Sequence, residues 1–287
     1  MHPLHIGFTS DFDRERYLYH YTSVDTAVNY ILINKSLRFN PLANVNDPME
    51  SDPNHWAFSN DGGDKESIAV RDRILDHLKN RTKVVCFSRD DQSDWGSPEF
   101  NPLDFCARGH SKPRMWATYG DDHRGVCLIF DRELLRQALE SGLKARGRLL
   151  YGVVRYGNLS PKDESGGAVF DLKAFKKDFD TAFDQKIEDH GDMYFLYKHV
   201  DWSAENEYRF IIVGGTPGPI ELAFNDALVG VVVGRKSREK IGYSRAIGDI
   251  AQDMNVPGRY IDWGWGSANY APLNEAARKI GPKHKSP

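Results

Sequence analysis

Two glutamates stand two positions apart where an apolar stretch begins late in the chain. Residues 205–213 alternate in the manner of a β-strand, which predicts that Glu205 and Glu207 lie on one side of it. Two carboxylates on one face repel each other, and burial would raise the pKa of at least one of them. On composition alone the pattern favours a solvated strand edge whose charges pair with Arg209 or a neighbouring lysine, and a catalytic carboxylate pair is the alternative.

Two earlier segments place polar groups beside aromatic residues. Residues 17–23 indicate an aromatic strand followed by a helix-capping pair, and residues 115–119 indicate a helical turn. Their candidate site residues are His20, Tyr21, Thr22, Ser23, Trp116 and Tyr119. Such side chains can hold a ligand by hydrogen bonding or by stacking, but taken alone His20 favours a hydrogen-bonded core histidine, and Trp116 and Tyr119 favour core positions.

Acidic loops suggest a different chemistry. Asn46, Asp47 and Glu50 lie in a polar turn, and four acidic residues follow the strand predicted at 83–88, namely Asp90, Asp91, Asp94 and Glu99. Either group could hold Mg²⁺ for a nuclease, but a run of charges after a strand is usually a solvated loop, which is the favoured interpretation of the second group. For residues 46–50 we favour an ordered loop that forms the wall of a site or contacts its ligand.

The cysteines raise two further hypotheses. Cys106, His110, His123 and Cys127 have the spacing C-x3-H-x12-H-x3-C, which superficially suggests zinc. Because Cys127 falls inside an apolar strand and no CxxC knuckle is present, buried free thiols are the favoured interpretation. Cysteine catalysis at Cys86 is not favoured, since no base lies near it in the sequence.

The elements that would position these residues alternate between strands and helices. Strands are predicted at 17–21, 36–40, 83–88, 125–130, 149–156, 205–213 and 228–233, and helices at 24–34, 64–80 and 171–199. This order predicts an α+β fold class with many antiparallel strands. We expect a single domain over 1–287, with a core at about 17–235, a helical insertion at about 168–200 and a C-terminal extension at 236–287.

Composition restricts the class of protein. The chain of 287 residues has 38 Lys and Arg against 41 Asp and Glu, and the net charge of −3 argues against a protein held to nucleic acid mainly by a basic face. Hydrophobic residues make up 40% of the chain, which is enough for a folded core. There is no apolar run long enough to span a membrane and no apolar segment of a secretory signal near the start. With 3 widely spaced cysteines, these features predict a cytoplasmic protein with reduced thiols and no membrane partner.

The order of the motifs resembles two known groups of proteins. The motifs are Tyr-His-Tyr-Thr-Ser at 19–23, Asn-Asp-Pro-Met-Glu at 46–50, Cys-Phe-Ser at 86–88, Met-Trp-Ala-Thr-Tyr from 115, His-Arg-Gly-Val-Cys from 123 and Trp-Ser-Ala-Glu-Asn-Glu-Tyr-Arg from 202. Over about 17–235 they are similar to the bacterial domain of unknown function 2971 family, which is found near phage-defence genes. Within them, the order of His20, Tyr119 and Glu207 resembles the His-Tyr-Glu core of ADP-ribosyltransferases.

The second resemblance implies a fold, a substrate and residue roles. The fold would be a largely antiparallel split sheet with flanking helices and an added helical layer, and the substrate would be NAD. Glu207 would stabilise the positive charge that develops on the ribose when nicotinamide leaves, and Glu205 would orient the acceptor.

The remaining candidates would surround these two carboxylates. The NAD-binding residues would be His20, Tyr21, Thr22, Ser23, Ser88, Trp116 and Tyr119, and the site wall or substrate contacts would be Asn46, Asp47, Glu50 and Arg209. His20 would bond an NAD ribose, and Tyr119, or else Trp116, would stack on the nicotinamide. No metal is expected in this site.

Three functions remain open at this point. The first is NAD-dependent ADP-ribosyl transfer to a macromolecular acceptor (protein, DNA or RNA), or NAD hydrolysis, as a defence or toxin effector. The second is a metal-dependent nuclease of the abortive-infection type, and the third is a non-catalytic binding module. The sequence predicts neither the acceptor nor the oligomeric state.

Overall fold

The chain divides into two compact units. The computed structural model describes residues 15–51, 57–91, 107–144, 146–158, 169–239, 241–264 and 267–273. The terminal unit comprises Met1–Leu37, Phe87–Gly142 and Ala223–Pro287, and the central unit comprises Arg38–Cys86 and Leu143–Leu222. The expected single domain stays a prediction.

Strands and helices alternate along the described ranges. The strands are β1 (Tyr17–Thr22), β2 (Ser36–Pro41), β3 (Ala57–Ser59), β4 (Lys83–Ser88), β5 (Val126–Asp131), β6 (Arg148–Val153), β7 (Arg155–Gly157), β8 (Val169–Asp171), β9 (Tyr197–His199), β10 (Glu207–Val213), β11 (Ile220–Ala223), β12 (Leu228–Val233), β13 (Gly258–Gly264) and β14 (Ser267–Pro272). The α-helices are Val24–Thr26, Pro48–Ser51, Lys65–Lys79, Pro113–Thr118, Arg132–Leu143, Leu172–Lys177, Phe179–Phe195 and Ile241–Asp253. A π-helical segment covers Ala27–Leu32, and short 3-10 helices cover Leu42–Asn44, Gly109–Ser111, Val200–Glu205, Asn225–Ala227 and Arg235–Glu239.

The terminal unit is organised around β5. β1 and β12 are both antiparallel to β5, β13 is parallel to β12, and β14 is antiparallel to β13. β5 is buried along its whole length, as its nearly continuous apolar run predicts. Alternate residues of β1, namely Tyr17, Tyr19 and Tyr21, pack in one core cluster with Trp116 and Cys127.

The central unit has β10 between β4 and β6. β10 is antiparallel to β6, β2 is antiparallel to β4, and two short parallel pairs join β3 with β8 and β7 with β9. The four-residue spacing of Phe175, Phe179, Phe183 and Ile187 brings these side chains into one core cluster with Ile74. The helical segments at 172–195 therefore bury a continuous apolar face against the rest of this unit.

The described residues confirm a mixed α+β fold with largely antiparallel, open sheet structure and flanking helices. The helix predicted at 64–80 is confirmed, with Asp64 as its N-cap. The continuous helix predicted at 171–199 is wrong, because the backbone of Asp178 is extended and its side chain caps a second helix through the backbone N–H of Thr181 at 3.2 Å. None of the helices in the described ranges is both long enough and apolar enough to cross a membrane.

Candidate functional site

A cluster of charged side chains is buried in the central unit. Its members, called the carboxylate cluster below, are Glu50, Lys198, Glu205, Glu207 and Arg209. Relative exposure is 6% for Glu205, 4% for Glu207 and 1% for Arg209. Three carboxylates against two cations leave a formal charge of −1 in a place that water reaches poorly.

Arg209 is the centre of this cluster and uses all five of its N–H groups. Nε and Nη2 donate to Oε1 and Oε2 of Glu207 at 3.0 and 2.9 Å. Nη1 donates to Glu50 Oε1 and, at 2.9 Å, to the carbonyl oxygen of Phe195, while Nη2 also donates to Glu50 Oε2 at 3.0 Å. Because a guanidinium has five donors and no acceptor, Arg209 has none left for a ligand.

Lys198 is the second cation, and it contacts all three carboxylates. Its Nζ lies 2.7 Å from Glu205 Oε2, 3.5 Å from Glu207 Oε2 and 4.0 Å from Glu50 Oε2. The ring centre of Trp202 lies 4.5 Å from the same nitrogen, which adds a cation–π contact. The lysine therefore links Glu205 to Glu50 and Glu207, the two carboxylates that Arg209 holds.

Local backbone structure explains why these side chains converge. Glu207 and Arg209 are alternate residues of β10, so they point to the same side of the strand. Glu205 is not on this strand, contrary to the prediction, because it is the last residue of the 3-10 helix Val200–Glu205. Asn206 between them adopts the left-handed conformation, with φ 46° and ψ 60°. This turn, rather than strand alternation, brings both glutamates to Lys198.

Glu50 enters the cluster from a short helix. Asp47 is 2% exposed and accepts hydrogen bonds from the backbone N–H of Met49 at its Oδ1 (2.9 Å) and from Glu50 and Ser51 at its carbonyl oxygen (3.1 and 2.9 Å). Asp47 Oδ2 is buried and has no hydrogen-bond partner among the described residues. The predicted ordered loop at 46–50 is thus a helix start that fixes Glu50, and Asn46 is exposed at its entrance.

The two carboxylates that Arg209 holds differ in proton affinity. Burial raises the pKa of Glu207, but the charges of Arg209 and Lys198 outweigh it, so the pKa lies below its ordinary value. For Glu50, burial is again the largest influence, and the same two cations do not outweigh it, so the pKa is raised. The sequence predicts that burial raises the pKa of at least one carboxylate of the pair, and for Glu207 the direction is the opposite, because the charges of Arg209 and Lys198 outweigh burial.

Cys86 lies beside this cluster. Burial, followed by the negative charge of Glu207, holds the pKa of the Cys86 thiol well above its ordinary value. A protonated thiol in this position donates to the Glu207 carboxylate and helps to lower the pKa of that group. Its raised pKa makes this cysteine a poor nucleophile.

The predicted NAD-binding residues belong to the terminal unit, where several are structural. His20 is half-buried, and its ring centre lies 5.5 Å from that of Phe87. Thr22 and Ser88 are buried in β1 and β4. Ser23 is the N-cap of the helix that follows β1, as its residue type predicts.

The aromatic candidates are distributed between core and surface. Trp116 is fully buried, and its Nε1 donates to the carbonyl oxygen of His110 at 2.9 Å. The Tyr21 hydroxyl donates to the carbonyl oxygen of Gly109 at 2.5 Å, and its ring meets that of Trp116 edge to face. Tyr119 is partly exposed at the end of the helix Pro113–Thr118. A role in NAD binding stays a prediction for all of these residues.

Two of the residues proposed for metal binding pair with cations. Asp90 and Asp91 pair with Arg108 and Lys112 at 2.5 and 2.8 Å. No group of three His, Cys, Asp or Glu side chains within the described ranges is placed to hold a metal ion. Three further members of the proposed metal sites, Asp94, Glu99 and Cys106, lie outside those ranges.

Sequence reasoning missed Lys198 and underrated Glu50. The sequence predicts that Arg209 or some neighbouring lysine pairs with the glutamates, and the pairing of Glu207 with Arg209 is observed. The predicted solvated edge is wrong, because these side chains are buried. Nothing in the spacing of the sequence identifies Lys198, since its short strand is set by pairing with β7. Glu50 lies 159 positions from Arg209, a distance over which no local pattern acts.

Comparison with known proteins gives one family. Residues 115–210, about a third of the chain, match the family described as "Protein of unknown function (DUF2971)". This match supports the resemblance to that family, and the matched stretch includes Lys198, Glu205, Glu207 and Arg209. No curated protein and no solved structure matches the chain. The resemblance to ADP-ribosyltransferases is not tested by these comparisons.

Proposed function

We propose that this chain cleaves the bond between nicotinamide and ribose in NAD and transfers ADP-ribose to a macromolecular acceptor or to water. Bond cleavage creates positive charge on the ribose at its anomeric carbon, and a nearby carboxylate lowers the free energy of that state. The observation that carries the proposal is the buried carboxylate cluster, in which Glu207 has a lowered pKa within a group of net charge −1.

The geometry favours an electrostatic role for Glu207. Its two oxygens already accept from Arg209 at 3.0 and 2.9 Å, and Lys198 lies 3.5 Å from one of them. These contacts fix the carboxylate in position before any substrate arrives, which is what effective electrostatic stabilisation requires. The acceptor is not specified by these residues, and protein, DNA, RNA and water all remain compatible with them.

The saturated donors of Arg209 favour a second candidate, a non-catalytic binding module in which the cluster only stabilises the central unit. Breaking one partner of a buried ion pair commonly costs about 3–5 kcal/mol, so such a cluster would be essential to folding without any chemistry. A metal-dependent nuclease has no comparable support among the described residues, since Asp90 and Asp91 are paired with cations.

Release of free nicotinamide from NAD by the purified protein tests the first proposal. We expect release by the wild type and a loss of at least about a hundredfold in Glu207→Gln, which removes the charge and keeps the side-chain shape. The matched control is Glu188→Gln, a solvent-exposed glutamate of the same unit, which should release nicotinamide at the wild-type rate. Equal rates in Glu207→Gln and the wild type would contradict the proposal. If the wild type neither releases nicotinamide nor binds NAD, the non-catalytic binding module is the function that the structure supports.

A further inference from the structure

We propose that Glu50 is a second catalytic carboxylate, which removes the proton from the acceptor while Glu207 stabilises the positive charge on the ribose. This inference rests on the proposed function, and it assigns to Glu50 a reaction step that neither the family match nor the motif pattern specifies. Its starting point is that one side chain, Arg209, holds both carboxylates.

The distance between the two carboxylates follows from that shared partner. Arg209 Nη2 donates to Glu50 Oε2 at 3.0 Å and to Glu207 Oε2 at 2.9 Å. Because the two N–H bonds of a guanidinium NH₂ group diverge by about 120°, these oxygens lie about 5 Å apart. The shared guanidinium therefore fixes the two carboxylates at this separation, so a group that reaches one of them is close to the other.

Glu50 has the free acceptor capacity that a base needs. An ionised carboxylate offers about four lone-pair positions, and Arg209 occupies two of those on Glu50. Lys198 is 4.0 Å away, too far for a hydrogen bond, so among the described residues nothing else donates to Glu50. Glu207 differs, because Arg209, Lys198 and Cys86 all approach its carboxylate.

Glu50 is also the carboxylate of the cluster that solvent reaches most easily. Its side chain is 10% exposed, against 7% for Glu205 and 5% for Glu207. It is carried by the helix Pro48–Ser51, in which Met49 is 52% exposed. An acceptor approaching from solvent would thus meet Glu50 before the other two glutamates.

The opposite shifts in proton affinity agree with a division of roles. Burial raises the pKa of Glu50, whereas the pKa of Glu207 is lowered by Arg209 and Lys198 in spite of burial. A carboxylate with a raised pKa is a stronger base, and one with a lowered pKa remains charged throughout the reaction. When the environment moves the pKa values of two neighbouring carboxylates apart, the two groups commonly have different acid–base roles.

The step balances without any further reactant. The bond between the ribose carbon and the nicotinamide nitrogen breaks, and its electron pair leaves with neutral nicotinamide. The acceptor oxygen forms the new bond to the same carbon, and its proton passes to the Glu50 carboxylate. Glu50 then returns that proton to solvent, so the net products from NAD and water are ADP-ribose, nicotinamide and one proton.

A comparison of two acceptors separates a base from a structural residue. Water must lose a proton during attack, whereas 3-acetylpyridine attacks with a nitrogen lone pair and has no proton to lose. We expect Glu50→Gln to lose hydrolysis of NAD by about a hundredfold or more and to keep base exchange with 3-acetylpyridine within about threefold of the wild type. Glu207→Gln should lose both reactions, and the control Glu188→Gln should lose neither.

Each other outcome overturns the inference in a recognisable way. Hydrolysis that survives in Glu50→Gln shows that Glu50 removes no proton. Parallel loss of hydrolysis and exchange in that variant shows that Glu50 acts only by holding the cluster together. If the wild type catalyses neither reaction, the role assigned to Glu50 is wrong, and if it also fails to bind NAD, the proposed function is wrong as well. Retained exchange also demonstrates that the variant is folded.

Discussion

The guanidinium of Arg209 donates two parallel hydrogen bonds to the carboxylate of Glu207, which lies two positions earlier on the same strand. Alternation along β10 points both side chains the same way, so the pair forms without any long-range fold constraint. The fold then adds Glu50 to the other edge of the guanidinium. Strand geometry thus pairs Arg209 with Glu207, and contacts between distant parts of the chain add Glu50 as a further acceptor.

The first prediction concerns the shape of Arg209. Arg209→Lys keeps the charge but replaces five planar donors with three on a single nitrogen, which cannot reach Glu50, Glu207 and the Phe195 carbonyl together. Because buried acceptors would lose their partners, we expect the free energy of unfolding to fall by about 3 kcal/mol. Urea unfolding followed by tryptophan fluorescence measures it.

The matched control for this change is Arg124→Lys, at a partly exposed arginine that pairs with Asp121 and Asp122. Exposed ion pairs contribute little, so this variant should lose less than about 0.5 kcal/mol. If Arg209→Lys also lowers the free energy of unfolding by less than about 0.5 kcal/mol, the positive charge alone stabilises the cluster, and the planar set of five N–H donors is not required.

A second prediction uses pH. Since the pKa of Glu207 in the folded chain lies below its ordinary value of 4.5, its ionised form contributes stability that is fully present above that pH. The contribution is lost as the pH falls through the lowered pKa. Glu207→Gln should therefore be less stable than the wild type by about 3–5 kcal/mol at pH 7, and the difference should shrink steadily below pH 4.5. Urea unfolding of both proteins across this pH range is the measurement, and a difference that is constant with pH would refute the assignment.

Much of the local structure could be predicted from the sequence, and the reason is periodicity. The continuous apolar run at 126–130 and the apolar face of the helix at 65–79 each satisfy a simple local pattern. Only part of the carboxylate cluster could be predicted in the same way. Glu207 and its pairing with Arg209 follow from adjacency on one strand, whereas Glu50 and Lys198 join them through contacts between distant parts of the chain.

The position of Glu205 shows how one residue, Asn206, interrupts the alternation that the sequence pattern predicts. Alternation across 205–213 assumes that the strand begins at Glu205, but Asn206 is left-handed and β10 begins at Glu207. Asparagine is among the few residues that adopt this conformation readily, yet its presence alone does not reveal where it will do so. The predicted proximity of the two glutamates is observed, although the predicted cause is wrong.

A third prediction follows from this backbone conformation. Asn206→Val should lower the free energy of unfolding by about 1–2 kcal/mol, because a β-branched residue is strained at φ 46°. Asn206→Gly should lose much less, since glycine adopts this region without strain. Asn225, at φ 47°, provides the control, and Asn225→Val should show a similar cost. Equal stability of the valine and glycine variants at position 206 would mean that the turn does not constrain the neighbouring glutamates.

The fourth prediction is that Lys198 and Glu205 are energetically coupled. Lys198→Met leaves Arg209 as the one cation within the carboxylate cluster as defined above for its three glutamates, so we expect a loss of about 3–5 kcal/mol in the free energy of unfolding. Glu205→Gln leaves two carboxylates with two cations and should cost less. Because each single change removes the same 2.7 Å contact, the double variant should be more stable than the sum of the single losses predicts, by about 1–3 kcal/mol.

A second double-mutant cycle, on the exposed pair Arg148 and Glu188, isolates the effect of burial on this coupling. Their charged atoms are 3.7 Å apart, and both side chains are largely solvent-exposed, so their coupling should be below about 0.5 kcal/mol. If the coupling of Lys198 with Glu205 is equally small, the lysine does not neutralise the cluster. The lowered pKa of Glu207 would then have to come from Arg209 and Cys86 without Lys198, and the loss in Lys198→Met should not diminish as the pH falls and the carboxylates become protonated.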